Sequence, residues 1–146
     1  MPPDYRPNDP LLKSWMEVPK GHDFPIQNLP LGVFETPGRG TRAGVAIGEK
    51  VLDLAELAAR GYLDAPAIAD LSVFSRSSLN AFIALGKPVW RALRSRVSWL
   101  LNAENPELRD RIEDRTQALL DQSRVEMRLP VEIGEILEKL VAAVRV

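Results

Sequence analysis

His22 is the only histidine in the chain, and there is no cysteine. A histidine acting as a general base needs a group to orient it and a nucleophile within reach. Asp23 adjoins it, but Gly21-His22-Asp23 lies in a proline-rich loop, and adjacency in sequence does not set geometry. His22 is read as a surface or structural histidine. The lack of cysteine removes a thiolate nucleophile, a disulfide framework and the dominant ligands of structural zinc sites. Gly38, Gly40, Gly44 and Gly48 invite a phosphate-loop reading. No lysine-plus-hydroxyl ending follows them, and the segment connects strands instead of opening a helix, so turn glycines explain the spacing. Glu104, Glu107, Asp110, Glu113 and Asp114 form an acidic run that could supply a metal or acid–base pair. Arg109, Arg111 and Arg115 interleave with it, which is the pattern of a solvated helix face. Arg91, Arg94 and Arg96 beside Trp90 and Trp99 could suggest a nucleic-acid face. Trp90 belongs to an apolar helical stripe and Trp99 lies near its edge, so the reading is core plus a solvated basic flank. No catalytic, cofactor-binding or metal-binding residue is assigned.

The elements that would position any such residues can be read from local chemistry. Pro19, Pro25, Pro30 and Pro37 recur too closely for a helix, since each ring removes a donor and biases its predecessor towards extended backbone. Leu31 to Thr36 is the first strand expected. Pro37 to Gly40 is a turn, and Arg42–Ile47 with Val51–Leu54 around Gly48-Glu49-Lys50 makes a hairpin. Asp53 caps a helix through Leu57 and Ala58, closed by Gly61. Ser77 or Ser78 caps a short helix over Leu79 to Leu85, closed by Gly86. Pro88 opens a longer helix where a missing donor does no harm. Its stripe is Val89, Trp90, Leu93, Val97, Leu100 and Leu101. Asn105-Pro106 starts a fourth helix with Leu108, Ile112 and Leu119 inside, and Ser123 to Leu129 is a further strand. The expected fold class is α+β: a small β-barrel followed by packed helices.

The 146 residues fit one domain, with 45% hydrophobic and 27% charged residues. Such a length buries a genuine core without a metal or disulfide staple. Net charge is −1 and the pI is about 5.9, which gives no push towards nucleic acid. No apolar run approaches the roughly 20 residues of a membrane span. Met1 to Pro10 is proline-rich and acidic, unlike a secretory signal. A cytoplasmic domain binding neither nucleic acid nor membrane is the expectation.

Some strings are too unusual to be generic. Ser14-Trp15-Met16-Glu17-Val18-Pro19 precedes Asp23-Phe24-Pro25-Ile26-Gln27-Asn28-Leu29-Pro30-Leu31-Gly32-Val33-Phe34. Gly44–Gly48, Val51–Leu54, Leu79–Gly86 with Trp90, and Met127–Gly134 come later. In this order and spacing they resemble the amino-terminal part of fumarylacetoacetase, over about Ser14 to Gly134. The Phe24 to Pro30 string is the most specific. The resemblance implies an SH3-like barrel with attached helices. It implies an enzyme that hydrolyses 4-fumarylacetoacetate to fumarate and acetoacetate, the last step of tyrosine and phenylalanine breakdown. It also implies calcium or magnesium, and a histidine with an acidic partner that activates water, held mainly by a larger carboxy-terminal catalytic domain that builds the family's dimer.

The resemblance fails after Gly134. There the family runs aspartate–tyrosine–threonine–aspartate–phenylalanine–tyrosine, its second aspartate a metal ligand, with a catalytic histidine soon after. This chain reads Glu135-Ile136-Leu137-Glu138-Lys139-Leu140-Val141. Glu138 stands at the metal-binding aspartate, Leu140 at the tyrosine and Arg145 near the histidine. One carboxylate does not hold a hard cation that wants six or more oxygens, so no metal site is carried over. Ile133, Ile136, Leu137, Leu140, Val141 and Val144 fall at relative positions 0, 3, 4, 7, 8 and 11, an amphipathic helical pattern. The division expected is a flexible lead-in at 1–13, the family's amino-terminal SH3-like domain at 14–130, and a non-family carboxy-terminal helix at 131–146. The last part reads as a truncated or frameshifted start of the catalytic domain, or as the new helix of a stand-alone module. The expected function is that of a fumarylacetoacetase amino-terminal domain, inactive alone and without a cofactor of its own. Its partner would be the catalytic domain or a second copy. A self-assembly or binding module using the barrel and terminal helix is the alternative.

Overall fold

In the computed structural model, which describes residues 1–64 and 66–131, strand β1 (Leu31–Thr36) turns into β2 (Gly40–Ile47), and β2 into β3 (Lys50–Asp53). The two turns carry Gly38, Gly40 and Gly48 at positive φ. Those are backbone conformations that glycine adopts without steric cost. Helices α1 (Leu54–Ala59), α2 (Asn80–Ile83), α3 (Lys87–Leu101), α4 (Pro106–Arg109) and α5 (Ile112–Ala118) come next. The short strands β4 (Leu119–Asp121) and β5 (Glu126–Arg128) come last. All pairings are antiparallel, in the order β4-β3-β2-β1-β5.

The α+β class stands, but the sheet is not the closed barrel that was expected. β4 and β5 are its two edges, and no ladder joins them among the described residues. The physical reason lies in their link, a 3₁₀ turn at Gln122–Arg124. Four residues, 122–125, separate β4 from β5, and they carry the chain from the edge beside β3 to the opposite edge beside β1, so the two strands pair with different neighbours. Gln122 is also committed elsewhere. Its backbone N–H donates to Glu49 O at 3.0 Å, and its side-chain amide donates to Gly48 O and Lys50 O.

Each face of the sheet has its own packing. Val33, Ala43, Val45, Ile47 and Leu52 share the face that meets the helices, and all are buried. There they join Leu54, Leu57, Leu63, Phe74, Leu93, Val97, Leu100, Leu101 and Leu108. The opposite face carries Gly32, Phe34, Gly44, Ala46 and Val51. Phe34 is completely buried there because Gly44 leaves room for its ring. A Cβ on Gly44 would sit 2.7 Å from Val51 Cγ1 and 2.8 Å from two Phe34 ring carbons.

The expected starts of α1 and α3 hold. Asp53 Oδ1 accepts from Glu56 N at 3.1 Å, and Gly61 follows α1 at positive φ. Helix α3 carries proline in its first turn. Helix α2 departs from the expectation of a serine-capped helix over Leu79–Leu85. It runs only over Asn80–Ile83 and has Leu79 at its N-cap position with no side-chain cap, although Ser78 Oγ accepts from Asn80 N at 3.3 Å. The expected fourth helix is instead two. Arg111 (φ −97°, ψ 83°) leaves helical space between α4 and α5. That break resets the helical phase, so Leu108 and Ala118 are buried while Ile112 is 69% exposed and Leu119 begins β4. Likewise, only Glu126–Arg128 of the expected 123–129 strand pairs.

Residues 1–13 run against α3. The Tyr5 ring meets Trp99 edge-on at 5.3 Å, and its hydroxyl lies 2.6 Å from Ser98 Oγ. The Gln27 side-chain amide donates to Asp9 O and Leu12 O. Among the described residues no helix is long and apolar enough to cross a membrane. The terminal helix expected at 131–146 lies, apart from Val131, outside the described residues.

Candidate functional site

Several of the residues singled out for chemistry make structural contacts. His22 Nδ1 accepts from Phe24 N at 3.1 Å, and its ring leans on Phe24 at 5.5 Å. It folds its own loop. Arg94 donates to the carbonyls of Gln27 and Asn28, and so ties α3 to the proline-rich segment. Arg96 Nε donates to Tyr62 O at 2.8 Å, and its two terminal nitrogens grip Glu107 at 3.1 and 2.8 Å. Of the acidic run, Glu107 faces Arg96, Asp110 faces Arg109, and Asp114 faces Arg60 and Tyr62. Among the described residues no three histidine, aspartate or glutamate side chains converge to hold an ion.

Two charged clusters escaped sequence reasoning. Asp53, with no side-chain exposure, accepts from Arg39 at 2.9 Å and Arg42 at 3.2 Å through Oδ2, while Oδ1 caps α1. Gly44 pairs with Asp53 across the hairpin. Arg42, two residues back on the same face, is thus its diagonal neighbour, and the hairpin register could have revealed this contact. The second cluster joins α1 to α5. Arg60 bridges Glu56 and Asp114, and the Tyr62 hydroxyl donates to Asp114. Its members are far apart in sequence and carried no local signal.

That second cluster predicts a pH response. Burial, reinforced by the hydrogen bond to Asp114, pushes the Tyr62 phenol up to about 12. The bonds from Tyr62 and then Arg60 hold the Asp114 carboxyl below its usual range. A raised phenol stabilises the fold fully below its unfolded value near 10, and that contribution disappears as pH rises towards 12. A depressed carboxyl stabilises above the unfolded value near 4 and loses its contribution as pH falls through the folded one. Urea midpoints followed against pH should decline on both flanks. In Tyr62→Phe the alkaline decline should shrink and the acid decline should weaken.

Alongside polar hollows around Lys13, Glu17 and His22 and around Glu35, Arg124 and Glu126, two hollows of the surface are apolar. A groove of about 480 Å³ lies between the 28–31 segment and helices α2 and α3. Leu29, Leu31, Val45, Phe82, Trp90 and Leu93 form its walls, and Asn28 and Arg94 stand among them as polar side chains. A second hollow, of about 320 Å³, lies over Phe34, Gly44 and Val51 on the other sheet face. Among the described residues neither lining holds an acid, a histidine or a serine. These surfaces can bind apolar groups, and they offer no group to move a proton or attack a carbonyl.

Comparison with known proteins gives a consistent result. The family described as "Fumarylacetoacetase N-terminal" matches residues 27–130. The fumarylacetoacetase of Caenorhabditis elegans is 46% identical over 126 residues, covering 85% of this chain and 30% of the relative. That of Arabidopsis thaliana is 40% identical over 126 residues, covering 86% and 30%. The Bos taurus protein is 39% identical over 124 residues, covering 84% and 29%. The chain thus spans about 30% of the length of the curated relatives it matches.

Proposed function

The chain belongs to the fumarylacetoacetase N-terminal family, and we propose that it acts as the non-catalytic amino-terminal domain of a fumarylacetoacetase. The observation that carries this reading is the family match over residues 27–130, together with full-length relatives of which the chain spans about 30%. Hydrolysis of the carbon–carbon bond in 4-fumarylacetoacetate needs an activated water and a held diketone. Both fall to a catalytic region, with any calcium or magnesium it uses. The present domain supplies a rigid sheet and apolar docking surface to that region, in the cytoplasm.

Purified alone, the chain should hydrolyse fumarylacetoacetate at no more than background rate. Mixed with the separately produced carboxy-terminal region of the Caenorhabditis elegans relative, it should raise that region's activity. The measurement is the loss of substrate absorbance. Turnover by the isolated chain that persists through removal of contaminating enzyme would overturn the reading, as would a catalytic region indifferent to the addition.

A further inference from the structure

Among the described residues lining the α2–α3 groove, Arg94 is the one that carries charge. Its terminal nitrogens donate to Asn28 O at 3.3 Å and Gln27 O at 2.5 Å, and both acceptors are neutral carbonyls. A guanidinium has five N–H donors. Those two bonds fix its position and leave further donors, and its whole charge, for another partner. The described lining offers no acid to meet them. Helix α3 offers none either, since it contains Lys87, Arg91, Arg94 and Arg96 but neither aspartate nor glutamate. Arg96 is satisfied by Glu107, whereas Arg91 is exposed one turn before Arg94. The potential beside the groove is therefore positive.

The rest of the wall is apolar and firmly placed. Trp90 lies one turn from Arg94, about 6 Å along the helix axis, and its indole N–H is taken by Phe82 O at 3.1 Å. Leu29 is buried, yet its φ is 43°. A bulky residue keeps that left-handed conformation only where its surroundings impose it, and the Arg94 bonds to the two preceding carbonyls help to do so. The volume of about 480 Å³ is that of a small-molecule site.

We propose that the α2–α3 groove binds a single-chain amphiphilic carboxylate, a free fatty acid in chemical class. Its head group pairs with Arg94, and its alkyl tail lies along Leu31, Phe82, Ile83 and Trp90. Charge complementarity selects the head, because a guanidinium that faces no acid in an apolar wall favours a carboxylate accepting two of its N–H bonds. The lining selects the tail. An extended peptide would bring backbone N–H and C=O groups to walls that hold few partners for them, and an alkyl chain brings none. The site does not depend on the proposed function, and its failure leaves that reading standing.

The probe is octanoate kept below its micelle concentration, followed through the amide and indole NMR signals of the chain. Octanoate should saturate one site and shift the signals of Ile83, Trp90 and Leu93, while those of α5 and β4 stay in place. Octan-1-ol, with the same tail and no charge, should bind roughly tenfold more weakly, and octylammonium should not bind. Hexanoate, two methylenes shorter, should lose about tenfold as well. Arg94→Met should cut octanoate affinity roughly tenfold and leave octanol binding unchanged. Ile83→Glu covers the case in which that variant loses its fold. Ile83 is 42% exposed, and a carboxylate placed there repels the probe, so octanoate should again weaken. Absence of saturable binding by monomeric octanoate would overturn the proposal. So would octanol or octylammonium binding as tightly as octanoate, unchanged octanoate affinity in a folded variant of either kind, or shifts centred on the hollow over Phe34 and Gly44. Binding that begins only with micelles or lipid vesicles counts against it equally.

Discussion

Gly44→Ala is expected to lower the thermal midpoint by roughly 3–12 °C, a large effect for one added methyl. The new Cβ would lie 2.7 Å from Val51 Cγ1 and 2.8 Å from Phe34 Cδ1 and Cε1, separations that real Cβ atoms do not tolerate. Neither neighbour yields easily. Phe34 is 0% and Val51 3% exposed, and Phe34 sits between β2 and β5 in the ladder. Overpacking of this kind costs about 1–3 kcal/mol. For a chain of this size each kcal/mol moves the midpoint by a few degrees. Gly38→Ala, by contrast, places a side chain at positive φ but meets nothing within 4 Å. It should cost about 1 kcal/mol, so the comparison separates crowding from backbone strain. Val51→Ala removes the nearest colliding methyl. The double variant Gly44→Ala with Val51→Ala should therefore be more stable than the sum of the two losses. Calorimetric midpoints for the parent, the two single variants and the double variant measure this, and strict additivity would show that crowding is not the cause.

Gly44 also shows where sequence reading stops. Its place in a hairpin is legible, because β-branched runs around Gly48-Glu49-Lys50 announce one. Asp53 as a helix cap, Gly61 as a helix stop, and Pro88 as a helix start are equally local and equally legible. Gly44 itself looks like one more turn glycine. Its actual role is to admit the ring of Phe34 from the neighbouring strand, and that requires knowing the register. The same limit explains the barrel. Composition and turn spacing suggest short strands, but whether β4 and β5 close on each other depends on how Gln122 spends its hydrogen bonds 72 and 74 residues away. The break at Arg111 escapes for a different reason. Leu108, Ile112 and Leu119 fit a single helical stripe, and periodicity alone does not register one residue leaving helical space. In the candidate site, the bland roles of His22, the turn glycines and the acidic run follow from their neighbours in sequence. Nothing local foretells that Arg94 and Arg96 are drawn off by carbonyls of distant loops, or that an apolar groove forms where the 28–31 segment meets α3.

Asp53→Ala should destabilise the chain by about 3 kcal/mol, because one carboxylate holds three elements. It ends β3, caps α1 through Glu56 N, and receives both Arg39 and Arg42 from the β1–β2 turn and β2. Loss of a cap alone costs about 1 kcal/mol. Removal of one partner from a buried ion pair costs about 3–5 kcal/mol, since the remaining charge has lost its solvent and its counter-ion. Here the ion-pair part falls below that range, at about 2 kcal/mol, because both arginine side chains keep 20% exposure and Arg39 retains its bonds to Gln117. Arg42 has less recourse. Its other contacts are Arg39 O and a distant Glu56 carboxylate at 3.9 Å, and its Nε is buried without a partner. Asp53→Asn separates the two contributions, for its side-chain oxygen can still accept from Glu56 N while the charge is gone. It should lose about 2 kcal/mol, the ion-pair part, and keep α1 protected from hydrogen exchange. Asp53→Ala should lose that protection as well. Replacing Arg42 with methionine in the Asp53→Ala background removes the stranded cation and should recover part of the loss. If Asp53→Ala and Asp53→Asn have the same urea midpoint, the cap contributes nothing. If Arg42→Met brings no recovery, the buried charge does not set the stability of this corner.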